Sequence, residues 1–76
     1  MCGIIGYVGS KKANDILIKG LLALEYRGYD SAGIATLENN EIKIMKDKGR
    51  VKNILNLDGY DDLQGTYGIA HTRWAT

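Results

Sequence analysis

The chain lacks several residue types that commonly build a site or reinforce a small fold. None of its 76 residues is proline or phenylalanine, and cysteine, histidine and tryptophan occur once each. A single cysteine excludes a disulfide within the chain, and a lone thiol suits a reducing compartment, so we expect a cytoplasmic protein. One cysteine and one histidine cannot supply a structural zinc site, and no EF-hand pattern is present. We therefore predict neither a metal nor another cofactor.

The chain also lacks an excess of charge of either sign. Ten Lys and Arg residues face nine Asp and Glu residues, which gives a net charge of +1. Binding of nucleic acid requires a basic excess on one face, so we do not expect it. The longest apolar-rich segment, "ILIKGLLAL", is too short to span a bilayer. The first lysines follow the apolar N-terminal stretch, the reverse of a signal peptide, so no membrane partner is predicted.

The N-terminal half carries the two clearest secondary-structure patterns. Residues 3–9, "GIIGYVG", are short, β-branched and bracketed by glycines, which predicts a buried strand. Leucines 17, 21 and 24 then recur at helical spacing. We predict a helix from Lys11 to Glu25, with Ser10 as its N-cap. Gly20 weakens this helix, and close packing against a strand is one reason for a glycine there.

The remaining patterns decide the fold class. "GIATLE" and "EIKIMKD" are divided by Asn39 and Asn40, which predicts a hairpin because asparagine tolerates positive φ. A short helix is predicted within residues 50–57 and a strand at residues 67–71. The predicted order is β-α-β-β-α-β. The hairpin implies antiparallel pairing, so we predict an α+β fold and not a doubly wound parallel sheet.

Cys2 is the candidate nucleophile, although a free cysteine is often only a small buried hydrophobic residue. Cysteine is small, so the initiator methionine before it is of the kind that processing removes. Its removal would give Cys2 a free α-amine beside its thiol. This amine can accept the thiol proton, so one residue would supply both nucleophile and general base. If Met1 is retained, the nitrogen is an amide and cannot act as a base.

The segment near the end of the sequence contains Arg73, Trp74 and His71. Arg73 is either a solvated charge or a bidentate clamp for a substrate carboxylate, which suits its planar guanidinium. Packing in a core is the default role for Trp74, the only tryptophan. We interpret His71 as a structural histidine.

Three segments together resemble one family. They are "MCGIIGYVG" at the start, "LEYRGYDSAGIA" at 24–35 and "GIAHTRWAT" at 68–76. They resemble the class II glutamine amidotransferases, whose N-terminal cysteine hydrolyses glutamine. Tyr29 and Asp30 favour the members that aminate fructose 6-phosphate over the amidophosphoribosyltransferases. The resemblance extends over the whole chain.

The resemblance implies roles for particular residues. Cys2 matches the nucleophile, which forms a γ-glutamyl thioester and releases ammonia. Arg73 matches the arginine that binds the α-carboxylate of glutamine. The other matched positions are Thr76 in the same binding segment, Trp74 at the gate of the ammonia channel, and Arg27 and Gly28 in a loop packed near the nucleophile.

The resemblance also implies the wider architecture. The family has the N-terminal-nucleophile hydrolase fold, an αββα sandwich, and residues 1–76 would be the N-terminal fragment of its glutaminase domain. The family's oxyanion asparagine–glycine pair, its sugar-isomerase domains and its oligomer contacts are expected beyond residue 76, so we expect the isolated chain to be inactive. The parent reaction would convert glutamine and fructose 6-phosphate into glucosamine 6-phosphate and glutamate. Two alternatives stay open: a class II amidotransferase with another acceptor, and a small non-catalytic α+β binding module.

Overall fold

The computed structural model describes residues 2–25 and 30–73. Within these ranges four strands form one antiparallel sheet, in the spatial order β1-β4-β2-β3. The elements are β1 (Gly3–Val8), α1 (Ala13–Leu24), β2 (Ser31–Glu38), β3 (Glu41–Lys48), α2 (Lys52–Leu55), a 3-10 helix (Tyr60–Asp62) and β4 (Tyr67–Arg73). The predicted α+β class and the predicted order of the main elements are confirmed.

The last strand lies in the middle of the sheet. β4 pairs with β1 from Gly3 opposite Thr72 to Val8 opposite Tyr67. It pairs on its other side with β2, starting with Ser31 opposite Arg73. The strand at the N-terminus is thus bonded to the last strand of the chain, which places Cys2 next to an ordered sheet.

The predicted main helix forms, but it starts later than its pattern indicates. α1 begins at Ala13, and its N-cap residue Lys12 makes no side-chain capping bond. The Ala13 N–H instead donates to the main-chain oxygen of Gly65 at 2.8 Å. A main-chain oxygen of a distant loop thereby accepts a hydrogen bond from one of the free N–H groups at the helix start. The prediction of Ser10 as the N-cap is therefore wrong.

Gly20 has the packing role that the sequence suggested for it. A Cβ atom built on Gly20 would collide with the side chain of Ile5, which belongs to β1. The absence of a side chain thus lets α1 approach the sheet closely. This approach compensates for the low helix propensity of glycine.

The sequence predicted the hairpin turn correctly but predicted the segment after it less well. Asn39 and Asn40 both have positive φ, at 51° and 65°, and they join β2 directly to β3 as predicted. The helix predicted within residues 50–57 is confined to Lys52–Leu55. No sequence pattern predicted the 3-10 helix at Tyr60–Asp62.

The core lies between α1 and one face of the sheet. Leu17 and Leu21 of α1 and Ile34 of β2 are almost completely buried there. Asn14 is also buried, and its Nδ2 donates to the main-chain oxygen of Tyr60 at 3.1 Å. The helix covers only this face, which we call the covered face. The opposite face of the sheet, here called the open face, exposes large apolar side chains.

Candidate functional site

The strand register divides the open face into an apolar end and a polar end. Residues paired across antiparallel strands point to the same face, so each register position defines a row across the sheet. The two rows nearest the hairpin turn contain Val8, Tyr67, Leu37 and Ile42, then Gly6, Ile69, Ala35 and Ile44. The next two contain Ile4, His71, Gly33 and Lys46, then Arg73, Ser31 and Lys48. Polar chemistry is thus concentrated at one end of this face.

Cys2 lies at this polar end. Gly3 pairs with Thr72, so the register continued by one residue brings Cys2 next to Arg73. Side chains alternate along a strand, and this alternation places Cys2 on the same side of the sheet as Ile4. The thiol is free and exposed. The candidate nucleophile therefore lies at an accessible strand end, on the face that α1 leaves uncovered.

Arg73 contacts a carboxylate that precedes the neighbouring strand. Its guanidinium nitrogen lies 3.4 Å from Oδ2 of Asp30, and both side chains are partly or largely exposed. An exposed ion pair of this kind contributes little to stability. It does restrict the guanidinium, whose other N–H groups can still bind a second carboxylate. Sequence reasoning missed this contact, because 43 positions separate the two residues.

The other predicted site residues lie outside the described ranges. Arg27 and Gly28 fall between Glu25 and Asp30, whereas Trp74 and Thr76 follow Arg73. The two groups are distant in sequence, but their described neighbours Asp30 and Arg73 are in contact. The structure therefore brings together Cys2, Arg73 and Asp30 at one end of the sheet.

The electrostatics of this end favour an anionic group. Lys46 and Lys48 share the polar end of the open face with Arg73. Positive side chains gathered on one surface attract negatively charged groups and raise their local concentration. Sequence reasoning missed the two lysines because their proximity to Arg73 arises only from the strand register.

The described part of the chain shows neither a metal-binding cluster nor a membrane-spanning helix. Its cysteine, histidine, aspartate and glutamate residues nowhere form a group of three or more that could hold a metal ion. Its helices are too short or too polar to traverse a lipid bilayer.

Comparison with solved structures gives the class of fold. The chain superimposes with a TM-score of 0.86 on "the allosteric regulatory enzyme of purine biosynthesis", at 26% identity. It superimposes equally well on the glutamine phosphoribosylpyrophosphate amidotransferase of B. subtilis, at 25% identity. These matches cover 100% and 99% of the chain and 16% of each solved chain. The chain has the fold of part of an N-terminal-nucleophile glutamine amidotransferase, as its sequence predicted.

Comparison with curated proteins gives closer relatives within that class. All 76 residues align with the glutamine–fructose-6-phosphate aminotransferase of Clostridium perfringens at 60% identity. The corresponding enzymes of Caldanaerobacter subterraneus and Methanococcus maripaludis are 59% and 54% identical. The chain spans 12% of the length of each relative. No protein-family model matches it. In sequence, the whole chain corresponds to the N-terminal segment of glutamine–fructose-6-phosphate aminotransferases.

Proposed function

We propose that residues 1–76 form the N-terminal part of the glutaminase domain of a fructose-6-phosphate aminotransferase. The parent enzyme would take ammonia from glutamine and transfer it to fructose 6-phosphate, giving glucosamine 6-phosphate and glutamate. One observation carries the proposal: Cys2 lies at the polar end of the open face, where the register brings it next to Arg73. The identity of 60% to a relative with this name supports the choice of acceptor.

Cys2 would act as the nucleophile once Met1 has been removed. Its α-amine accepts the thiol proton, and Sγ attacks the side-chain amide carbon of glutamine. The C–N bond then breaks, the nitrogen takes up the proton and leaves as ammonia, and a γ-glutamyl thioester remains. Water hydrolyses the thioester, which releases glutamate and restores the thiol. The negative oxygen formed during attack needs hydrogen-bond donors, and we expect them from residues beyond position 76.

Arg73 would bind the α-carboxylate of glutamine. Its guanidinium is exposed and partly oriented by Asp30, so it can offer two parallel N–H groups to the substrate. Lys46 and Lys48 add positive charge on the same face. We assign the remaining roles by similarity: Thr76 to the glutamine-binding segment, Trp74 to the gate of the ammonia channel, and Arg27 and Gly28 to the surroundings of the nucleophile.

The proposal extends to the protein's partners and location. Glutamine and fructose 6-phosphate would be the substrates, and domains beyond residue 76 would supply the sugar site and the contacts of a homo-oligomer. A nucleophilic thiol must stay reduced to act, which favours the cytoplasm. The isolated chain would bind and hydrolyse little glutamine, because the donors for the oxyanion are expected elsewhere in the domain.

The test uses the full-length enzyme of which this chain would be the N-terminal part. Glutamate and glucosamine 6-phosphate are measured with glutamine as the nitrogen donor, and then with an ammonium salt. We expect Cys2→Ala to abolish the glutamine-dependent reaction and to leave the ammonia-dependent reaction intact. Ser10→Ala is the matched control, because Ser10 lies beyond the opposite end of β1.

Four outcomes would contradict the proposal in whole or in part. Glutamine hydrolysis by Cys2→Ala would remove Cys2 from the mechanism. An intact mass that retains Met1 in the active enzyme would exclude the α-amine as the base. Formation of another aminated product, with none from fructose 6-phosphate, would indicate a class II amidotransferase with a different acceptor. If the Cys2 thiol does not react with a glutamine-analogue electrophile and the protein has no amidotransferase activity, a binding module is favoured.

A further inference from the structure

The residues on either side of positions 26–29 are both bound by one short turn. Glu25 is the C-cap residue that follows α1, and its Oε2 accepts a hydrogen bond of 2.6 Å from the Val51 N–H. Asp30 precedes β2, and its main-chain oxygen accepts a hydrogen bond of 2.6 Å from the Gly49 N–H. We call residues 49–51 the Gly49–Val51 turn. Two N–H groups that are two residues apart thus connect the end of α1 to the start of β2.

The Gly49–Val51 turn has its own reasons to keep its shape. Gly49 has φ of +88°, a conformation that residues with a side chain rarely adopt. Asn53 donates from Nδ2 to the main-chain oxygen of Lys48 at 3.2 Å, across the turn. Val51 is completely buried in the core. The turn is therefore anchored on both sides, and it can fix the position of whatever it binds.

Glu25 makes the stronger of the contacts to this turn. Its side chain is only 13% exposed, and its second carboxylate oxygen lies 3.9 Å from the guanidinium of Arg50. A largely buried carboxylate is stable only when it is paired and hydrogen-bonded. A charge-assisted hydrogen bond of 2.6 Å is also stronger than one between neutral groups. Removal of this carboxylate should therefore weaken the whole connection.

We propose that Glu25 is a positioning residue for glutamine binding. Through the Gly49–Val51 turn it fixes Asp30, whose carboxylate contacts Arg73 at 3.4 Å. The contacts of Glu25 described above are with Val51 and Arg50, and neither is Cys2 or Arg73. Its effect on the substrate is therefore indirect. The inference rests on the proposed function, because it assumes that Arg73 binds the α-carboxylate of glutamine.

The experiment compares Glu25→Ala with Glu25→Gln in the full-length enzyme. Alanine removes the acceptor, whereas the amide oxygen of glutamine can still accept from the Val51 N–H. We expect Glu25→Ala to raise KM for glutamine about tenfold, the change typical of a lost hydrogen bond to a charged group. The turnover number with ammonia should not change, and Glu25→Gln should restore most of the affinity.

Glu38→Ala is the matched control, because Glu38 forms an ion pair with Lys43 at 3.3 Å near the hairpin turn. It should leave KM for glutamine unchanged. An unchanged KM in Glu25→Ala, or an equal rise in Glu38→Ala, would overturn the inference.

Amide hydrogen exchange gives a second measurement that does not need activity. In Glu25→Ala we expect faster exchange at the Gly49 amide as well as at Val51, because both bonds belong to one connection. If the Gly49 amide exchanges as slowly in Glu25→Ala as in the unmodified enzyme, the inference is wrong. If the unmodified enzyme does not hydrolyse glutamine, the proposed function is wrong. The exchange rate of the Gly49 amide in Glu25→Ala would still decide whether Glu25 fixes Asp30.

Discussion

The guanidinium of Arg73 lies 3.4 Å from the carboxylate of Asp30, although 43 positions separate them in the sequence. The contact forms because β4 lies beside β2, with Arg73 opposite Ser31. An arginine already oriented by one carboxylate needs less reorganisation to bind another. The pair therefore connects the C-terminal segment to the segment that precedes β2.

The first prediction concerns this pair. Arg73→Lys should raise KM for glutamine about tenfold or more, because a lysine keeps the charge but loses the two parallel N–H groups. Steady-state kinetics of the full-length enzyme, with glutamine varied at saturating fructose 6-phosphate, provide the measurement. Lys43→Ala, whose lysine pairs with Glu38 away from the polar end, is the control. Unaltered glutamine affinity in Arg73→Lys would remove Arg73 from the binding site.

The second prediction concerns the open face. Ile44 is 64% exposed and Ile69 is 63% exposed, and they flank Ala35 in one row. An exposed apolar patch of this kind promotes association. We expect the 76-residue chain to self-associate at high concentration, and the double substitution Ile44→Lys with Ile69→Lys to reduce this. Sedimentation velocity measures the change.

Ile34→Lys is the control for the second prediction, because Ile34 is buried on the covered face of the same sheet. This substitution should unfold the chain and increase its self-association. A sharp, monomeric NMR spectrum of the unmodified chain at high concentration would contradict the prediction.

The third prediction concerns the core beneath α1. Leu17 is completely buried and Leu22 of the same helix is 43% exposed. Leu17→Ala should lower the free energy of unfolding by about 2–5 kcal/mol, because it leaves a cavity. Leu22→Ala should cost much less. Native-state hydrogen exchange of the β4 amides in the full-length enzyme gives both values, since β4 lies between two strands. Equal losses from the two substitutions would refute the packing described for α1.

The fourth prediction concerns pH. Burial, together with the nearby charge of Asp15 and a hydrogen bond to it, raises the pKa of Tyr60 to about 12. In the unfolded chain a tyrosine titrates near pH ~10. Between these values the folded chain retains a proton that the unfolded chain has lost, so stability falls as pH rises from about 10 to about 12. Below this window Tyr60 is neutral in both states and adds no pH dependence.

Two measurements check this prediction. The rise in phenolate absorbance assigned to Tyr60, obtained by subtracting the titration of Tyr60→Phe, should be centred near the raised pKa. The thermal midpoint should fall less steeply above pH ~10 in Tyr60→Phe than in the unmodified protein. Tyr67→Phe is the control, because Tyr67 is half exposed on the open face. A titration of Tyr60 near its ordinary value would show that the ring is not buried in solution.

Local patterns in the sequence predicted the elements that depend on local physics. The leucine spacing of α1 determines a helix wherever an apolar surface is available, and Asn39 and Asn40 suit a two-residue turn because they tolerate positive φ. The position of Cys2 directly after Met1 made it the candidate nucleophile. Even Gly20 could be interpreted correctly, since a glycine within a strong helical pattern needs a packing reason.

Tertiary structure alone decided which residues meet. The order β1-β4-β2-β3 places the last strand between the first two, and no local propensity encodes that choice. The polar end of the open face, the contact of Asp30 with Arg73 and the bond from Val51 to Glu25 all follow from it or from the packing around it. Local sequence determined which elements form, because hydrogen bonds within helices and turns join near neighbours. Burial of the shared apolar face of α1 and the sheet determined where the site residues lie, because that burial depends on the whole chain.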